Sequence, residues 1–198
     1  MNKNDVIAFF DHMASHWDAD MIRDDAVIAK ILDGAGVEAG ARVLDVACGT
    51  GVVIPDYLSR GVASVTAVDI SPEMVRIAKG KFPQENVTIL CGDIQQIQLE
   101  EKFDCIMVYN AFPHFPEPEA LIATLAGMLK PGGTLTVAHG MSRAMIDRHH
   151  EGAASKVSVG LMHEDALADI FAKHLSVTVK ISDDRMYQVT GTKQKTLR

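Results

Sequence analysis

Residues 42–51 read RVLDVACGTG. A short apolar, β-branched run carries one acid, Asp45, and opens into a small-residue segment with two glycines. The run has the length of a strand buried on both faces, and the glycines allow a backbone turn that something else can approach closely. Four further runs of this kind follow at 64–68, 87–90, 103–109 and 134–138, each ending in turn residues. Helix-like stretches at 52–60, 72–79 and 117–129 separate them. Ser71 followed by Pro72 is a helix start, a capping hydroxyl and then proline in the first turn. LKPGG at 129–133 stops a helix, because Pro131 cannot continue it and the glycines permit a sharp reversal.

Strands alternating with helices predict an α/β, doubly wound parallel sheet with helices on both faces. The end of the chain breaks the alternation. A helix at 164–174 precedes two strands, VTVKISDD and RMYQVTGTK, joined around Asp183 and Asp184. This predicts a mostly parallel seven-stranded sheet with an antiparallel last strand. Residues 4–15 and 24–33 read as helices over the carboxyl edge of the sheet or flanking it.

The chain has 198 residues, 47% hydrophobic and 23% charged, which suits one domain over 1–198. The net charge of −7 argues against a nucleic-acid partner, since phosphate binding needs a concentrated basic face. No apolar segment is long enough to span a membrane, and the first residues lack the uninterrupted apolar core of a secretory signal. Cys48, Cys91 and Cys105 show no metal-type spacing and lie in or beside apolar runs, so three buried free thiols and a cytoplasmic location are expected.

Doubly wound sheets bind ligands outside the carboxyl ends of their strands. Three features fall there: the Gly49–Gly51 turn, Asp69 ending the second strand in TAVDIS, and Asp93 ending the third in LCGDI. An acid after the second strand can accept hydrogen bonds from both ribose hydroxyls, and one after the third can meet an adenine amino group. A nicotinamide dinucleotide site is the rival, but Ile54 stands where its fingerprint needs a third glycine. Asp45 would repel a pyrophosphate and not a cationic or zwitterionic ligand.

As an ensemble these motifs resemble the class I S-adenosylmethionine-dependent methyltransferases, which implies a Rossmann-like sheet. VLDVACGTG is similar to their first motif, AVDISPEMVRIAK to the acidic ribose motif and CGDI to the adenine motif. FDCIMVYNAFPHF and LKPGGTLTVAH match the fourth strand and the approach to the fifth. FFDHMASHWDADM is similar to the entry segment of the small-molecule, quinone-methyltransferase-like branch. The resemblance covers roughly residues 9–140, with Ala47 where the family commonly has glycine. It implies that S-adenosylmethionine is the cofactor and S-adenosylhomocysteine the product. Asp45, Ala47, Gly49 and Gly51 would serve the methionine part, and Asp69 the ribose. Ile70, Asp93 and Ile94 would hold the adenine, and Asn110 and Ala111 the methionyl end.

The methyl acceptor is left open by the motifs. His114, His139, His149 and His150 follow the fourth and fifth strands and are the candidate bases or pocket walls. His139 is favoured, because a polar residue at a buried strand end needs a reason. Of the adjacent pair only one can face inward from a helix. Phe10, Trp17, His114 and Met141 are the expected acceptor pocket, roofed by a helical lid within residues 1–35 and a cap over 141–163. No metal is expected. The overall expectation is in-line methyl transfer to a small-molecule acceptor by a monomer or homodimer. The rivals are an NAD(P)-dependent reductase and a non-catalytic methyltransferase-like cofactor-binding protein.

Overall fold

In the computed structural model, which describes residues 2–149 and 156–195, the elements follow in the order α1 (Lys3–Met13), α2 (Trp17–Asp20), α3 (Asp25–Gly34), β1 (Arg42–Val46), α4 (Ile54–Ser59), β2 (Ser64–Asp69), α5 (Pro72–Lys81), β3 (Val87–Cys91) and β4 (Phe103–Tyr109). A short 3₁₀ turn at Phe112–His114, α6 (Pro118–Met128), β5 (Leu129–His139), α7 (Arg143–His149), α8 (Glu164–Ala172), β6 (Ser176–Ser182) and β7 (Tyr187–Thr192) complete the chain. The seven strands form one sheet in the order β3-β2-β1-β4-β5-β7-β6. β1 to β5 are parallel, and β7 runs antiparallel to both β5 and β6. The expected architecture is therefore the observed one.

The central strands are mostly apolar because both their faces are covered. On one face β1 and β2 pack with α3, α4 and α5 through Ile31, Val43, Ile54, Val65 and Ala78. On the other, β4 and β5 pack with α6 and α8 through Ile106, Leu121, Leu125, Leu135 and Phe171. Each of the larger side chains among these contributes about 1.5–3 kcal/mol on burial. Local signals set the helix starts. The Ser71 hydroxyl accepts the Met74 N–H at 3.1 Å ahead of Pro72, and the Asp24 carboxylate accepts the N–H groups of Ala26 and Val27 at 3.1 Å.

Strand order reverses between β1 and β4, where successive connections leave to opposite faces and open a crevice at the strands' carboxyl ends. α1 lies over that edge and α3 flanks the sheet.

Two expectations need correction. LKPGG does end α6, but it does not reverse the chain. Residues 129–133 are already extended and belong to β5, with a register shift opposite Phe103 and Cys105. Hydrogen bonds from Gly132 N–H to Lys193 O and from Lys193 N–H to Gly133 O, at 2.9 and 2.8 Å, hold this extension. A Cβ on Gly133 would stand 2.9 Å from Asp104 O, so only glycine allows the approach. Second, Cys48 and Cys105 are buried but Cys91 is exposed, because β3 is an edge strand with its last residue at the rim.

Candidate functional site

The crevice is a cavity of about 1230 Å³, open mouth included. Asp45, Asp69 and Asp93, carried by β1, β2 and the turn after β3, all line it. So do Ala47, Gly49, Ile70, Ile94, Asn110 and Ala111. A parallel sheet brings residues far apart in sequence to one edge, and these nine meet there.

The turn after β1 is held from β2. Asp69 Oδ2 accepts the Gly49 N–H at 2.7 Å, and its Oδ1 accepts the Ser71 N–H at 2.9 Å. Ala47, at φ 54, and Asn110, at φ 53, sit in the left-handed region. Asn110 is secured there by the Gly140 N–H, 2.9 Å from its Oδ1. Gly51 differs from its sequence expectation. It is not among the cavity-lining residues, and a Cβ on it would overlap Phe82 Cε2 and stand 3.0 Å from Ile54 Cδ1. Its φ is +85, so it serves the turn from behind, where Phe82 at the end of α5 packs on it.

The acids differ electrostatically. Asp45 is 2% exposed. Burial, and then the neighbouring Asp69, push its carboxyl up from 3.8 to about 8. Burial pushes Asp69 up as well, against the opposing pull of the Ser71 and Gly49 N–H groups. An acid that titrates near 4 unfolded and near 8 folded keeps an extra proton in the folded chain across that window. Stability therefore falls as pH rises from about 4 to about 8 and levels off above. Asp45→Asn should flatten this fall and raise the melting temperature most at the alkaline end. Thermal melts across that range check this; parallel curves for the two proteins would contradict it.

The roof comes from the N-terminal segment. Val6, Phe10, Trp17 and Met21 line the cavity from above. Phe10 stands edge-on to Trp17 at 5.7 Å and to His114 at 4.9 Å between ring centroids. Polar ties hold the segment down. Asp11 Oδ1 accepts the Ser71 hydroxyl at 2.5 Å, and Asp18 accepts the Thr50 hydroxyl at 2.5 Å and Lys81 Nζ at 2.8 Å. Arg23 grips both carboxylate oxygens of Asp56, at 2.7 and 2.8 Å, and donates to Val52 O at 2.8 Å. Lys3 Nζ reaches Asp93 Oδ2 at 2.5 Å. Lys3 and Tyr109, both cavity-lining, escaped the sequence reading. Tyr109 had a signal, one place before Asn110 at the end of β4; Lys3 had none.

The histidines separate. His114 lines the cavity, and its Nδ1 lies 2.6 Å from Val157 O. A carbonyl only accepts, so Nδ1 carries the proton in this contact. His139 is 2% exposed, is not among the lining residues, and packs edge-on to Tyr187 at 6.0 Å. It is buried because β7 pairs against β5 at that end, placing Tyr187 opposite it. Met141 is half-buried against the core near β4 and β5 and is not among the lining residues either. His149 ends α7, and His150 lies outside the described residues.

The profile of a family described as "Methyltransferase domain" matches residues 44–137. The ubiquinone biosynthesis O-methyltransferase of Xanthomonas campestris pv. campestris is 34% identical over 133 residues, covering 60% of this chain and 53% of the relative. That of Xanthomonas oryzae pv. oryzae is 38% identical over 101 residues, covering 49% and 42%. The chain thus spans about half the length of the curated relatives it matches. Among solved structures, the DhpI complex with S-adenosylhomocysteine superposes with a TM-score of 0.77 at 19% identity, covering 98% of each chain. The N-methyltransferase NodS of Bradyrhizobium japonicum WM9, also with S-adenosylhomocysteine, gives 0.74 at 16% identity, covering 98% of this chain and 99% of that one. These likenesses extend the shared fold over nearly the whole chain. Residues 44–137 thus match a methyltransferase domain, and the motifs and sheet order are similar to those of the class I S-adenosylmethionine-dependent methyltransferases.

Proposed function

We propose that the cavity holds S-adenosylmethionine and that the chain transfers its methyl group to a small-molecule acceptor. The observation that carries this reading is the convergence of Asp45, Asp69 and Asp93 with the Gly49 turn on one cavity. The bound cofactor supplies a methyl group on a positively charged sulfur, already activated. The protein's part is to bind, orient and exclude water.

In this reading Asp69 accepts the ribose hydroxyls on the lone pairs not used by Gly49 and Ser71. Ile70 and Ile94 sandwich the adenine, and Asp93 accepts its amine once Lys3 lets go of Oδ2; Oδ1 remains held by the Gln95 N–H at 3.0 Å. Ala47 and Gly49 offer backbone to the methionine part, with Asn110 and Ala111 at its end and Asp45 answering its positive charge. Gly51 acts only by shaping the turn. A nicotinamide cofactor fits less well. Ile54 is fully buried at the start of α4, and three carboxyls line the cavity where a pyrophosphate would lie.

The acceptor is placed between Phe10, Trp17, His114 and Phe115, under residues 1–35 as a lid and 141–163 as a cap. Val159 N–H donates to Pro113 O at 2.9 Å, tying the cap to the turn that carries His114. His114, oriented by Val157, takes the acceptor's proton; His139 and Met141 support the wall from behind. The curated relatives are O-methyltransferases of ubiquinone biosynthesis, which supports an oxygen acceptor here, and the aromatic roof suits an apolar one. A cytoplasmic monomer or homodimer without a nucleic-acid partner completes the reading, supported by the net charge of −7 and the free thiols.

Calorimetry with S-adenosylmethionine and with NADH tests the cofactor, and transfer of labelled methyl to a panel of ring hydroxyls tests the acceptor. Folded protein that binds NADH and not S-adenosylmethionine rejects the reading. His114→Gln should lower kcat by about 100-fold with little change in cofactor KM. An unchanged kcat would remove His114 from the chemistry.

A further inference from the structure

Asp45 is the one cavity acid without a hydrogen-bonded partner among the described residues. Its two neighbours in role are satisfied: Asp69 by two backbone N–H groups, Asp93 by Lys3 and the Gln95 N–H. Asp45 is nonetheless nearly enclosed and opens on the cavity. A carboxylate left there would face a second buried acid with no donor to compensate, an arrangement that favours the neutral form.

The groups around it leave Asp45 and Asp69 to take up the change. Cys48 in the turn and Tyr57 on α4 both feel Asp45, and burial pushes both well up, so they stay neutral. From α1, Asp11 acts on Asp69 and adds negative charge. Among the described residues Lys3 is the only lysine or arginine in the lining, and its ammonium sits on Asp93. Tyr109 at the end of β4 is pushed up to about 12 and is neutral as well. His114 is the remaining titratable side chain in the lining among the described residues.

We propose that Asp45 keeps its proton until a cationic ligand arrives and then releases it to solvent, so that cofactor uptake expels roughly one proton per molecule bound. The carboxyl O–H bond breaks, the proton passes to buffer, and the carboxylate answers the ligand's positive charge. This rests on the cofactor reading above. It adds that affinity rises with pH, by about tenfold per unit below pH 8, and flattens once the carboxyl is ionised without ligand.

The experiment is calorimetric titration of the full chain with S-adenosylmethionine at neutral pH, in phosphate and in Tris, whose protonation enthalpies differ. The expected result is a heat that depends on buffer by roughly one proton's worth. The release should be lost in Asp45→Asn and kept in His114→Gln. Difference infrared spectroscopy should show the protonated-carboxyl band disappear on adding cofactor, and this decides the matter if Asp45→Asn binds too weakly to titrate. Normal binding with a buffer-independent heat, or loss of the release in His114→Gln, overturns the inference and leaves the cofactor reading standing. No binding in either buffer rejects both.

Discussion

Replacing Asp69 by alanine is expected to weaken S-adenosylmethionine binding by about 100-fold, the loss of two hydrogen bonds to a charged acceptor at about 1.5 kcal/mol each. The same carboxylate also fixes Gly49 N–H at 2.7 Å, so its removal loosens the turn that the ligand must rest on. His139→Ala should change binding far less, because His139 is buried beside Tyr187 and is not among the cavity-lining residues. Trp17 is the only tryptophan and lines the cavity, so its fluorescence provides the titration signal for both variants. Equal losses in the two would contradict the placement of the ribose at Asp69.

Gly51→Ala is expected to destabilise the fold by about 2–3 kcal/mol and to lower the melting temperature by about 5–10 °C. Two costs add. An L-residue at φ +85 is strained, and its Cβ must displace Phe82 and crowd Ile54. Phe82 is half-buried and gives way in part, which keeps the cost below that of a clash with backbone. Gly80→Ala, one helix away, is the control. Gly80 lies inside α5 with nothing within 4 Å of the new Cβ, so alanine there should stabilise by about 0.5–1 kcal/mol. A Gly51→Ala protein as stable as the parent would mean that the turn can be rebuilt without the left-handed residue.

The contrast between these two glycines shows where sequence reading stops. Both are glycines near helix-like segments. Only the meeting of Phe82 with the β1–α4 turn, two elements that the sheet brings together, distinguishes them. The same holds for the cofactor loop as a whole. Gly49 faces the cavity and Gly51 faces the core, and the motif GTG does not say which is which.

What was legible was legible for a physical reason. Strands buried on both faces are mostly apolar, so β1, β2 and β4 announced themselves, and the alternation with helices implied that they run parallel. An acid at the carboxyl end of each of β1 and β2 and just past β3 cannot be a core residue, and parallel strands place all three on one edge. The resemblance that implies the cofactor class rests on this local pattern. The helix termini were close for the same reason: Ser71-Pro72 and Asp24 act within one turn.

By itself, then, the sequence determined the seven-stranded doubly wound sheet, its reversed last strand, and the acids and turn that converge at its carboxyl edge. Only the tertiary structure decided which of those acids are satisfied. Lys3 on Asp93, Thr50 and Lys81 on Asp18, and Ser71 on Asp11 are contacts across long stretches of chain with no local signature. It also decided that His139 lies buried under β7 while His114 faces the cavity, and that Asp45 has no donor among the described residues. Burial and partnership belong to the packed chain, because each depends on what distant elements bring to a residue and not on the residue's own neighbours in sequence.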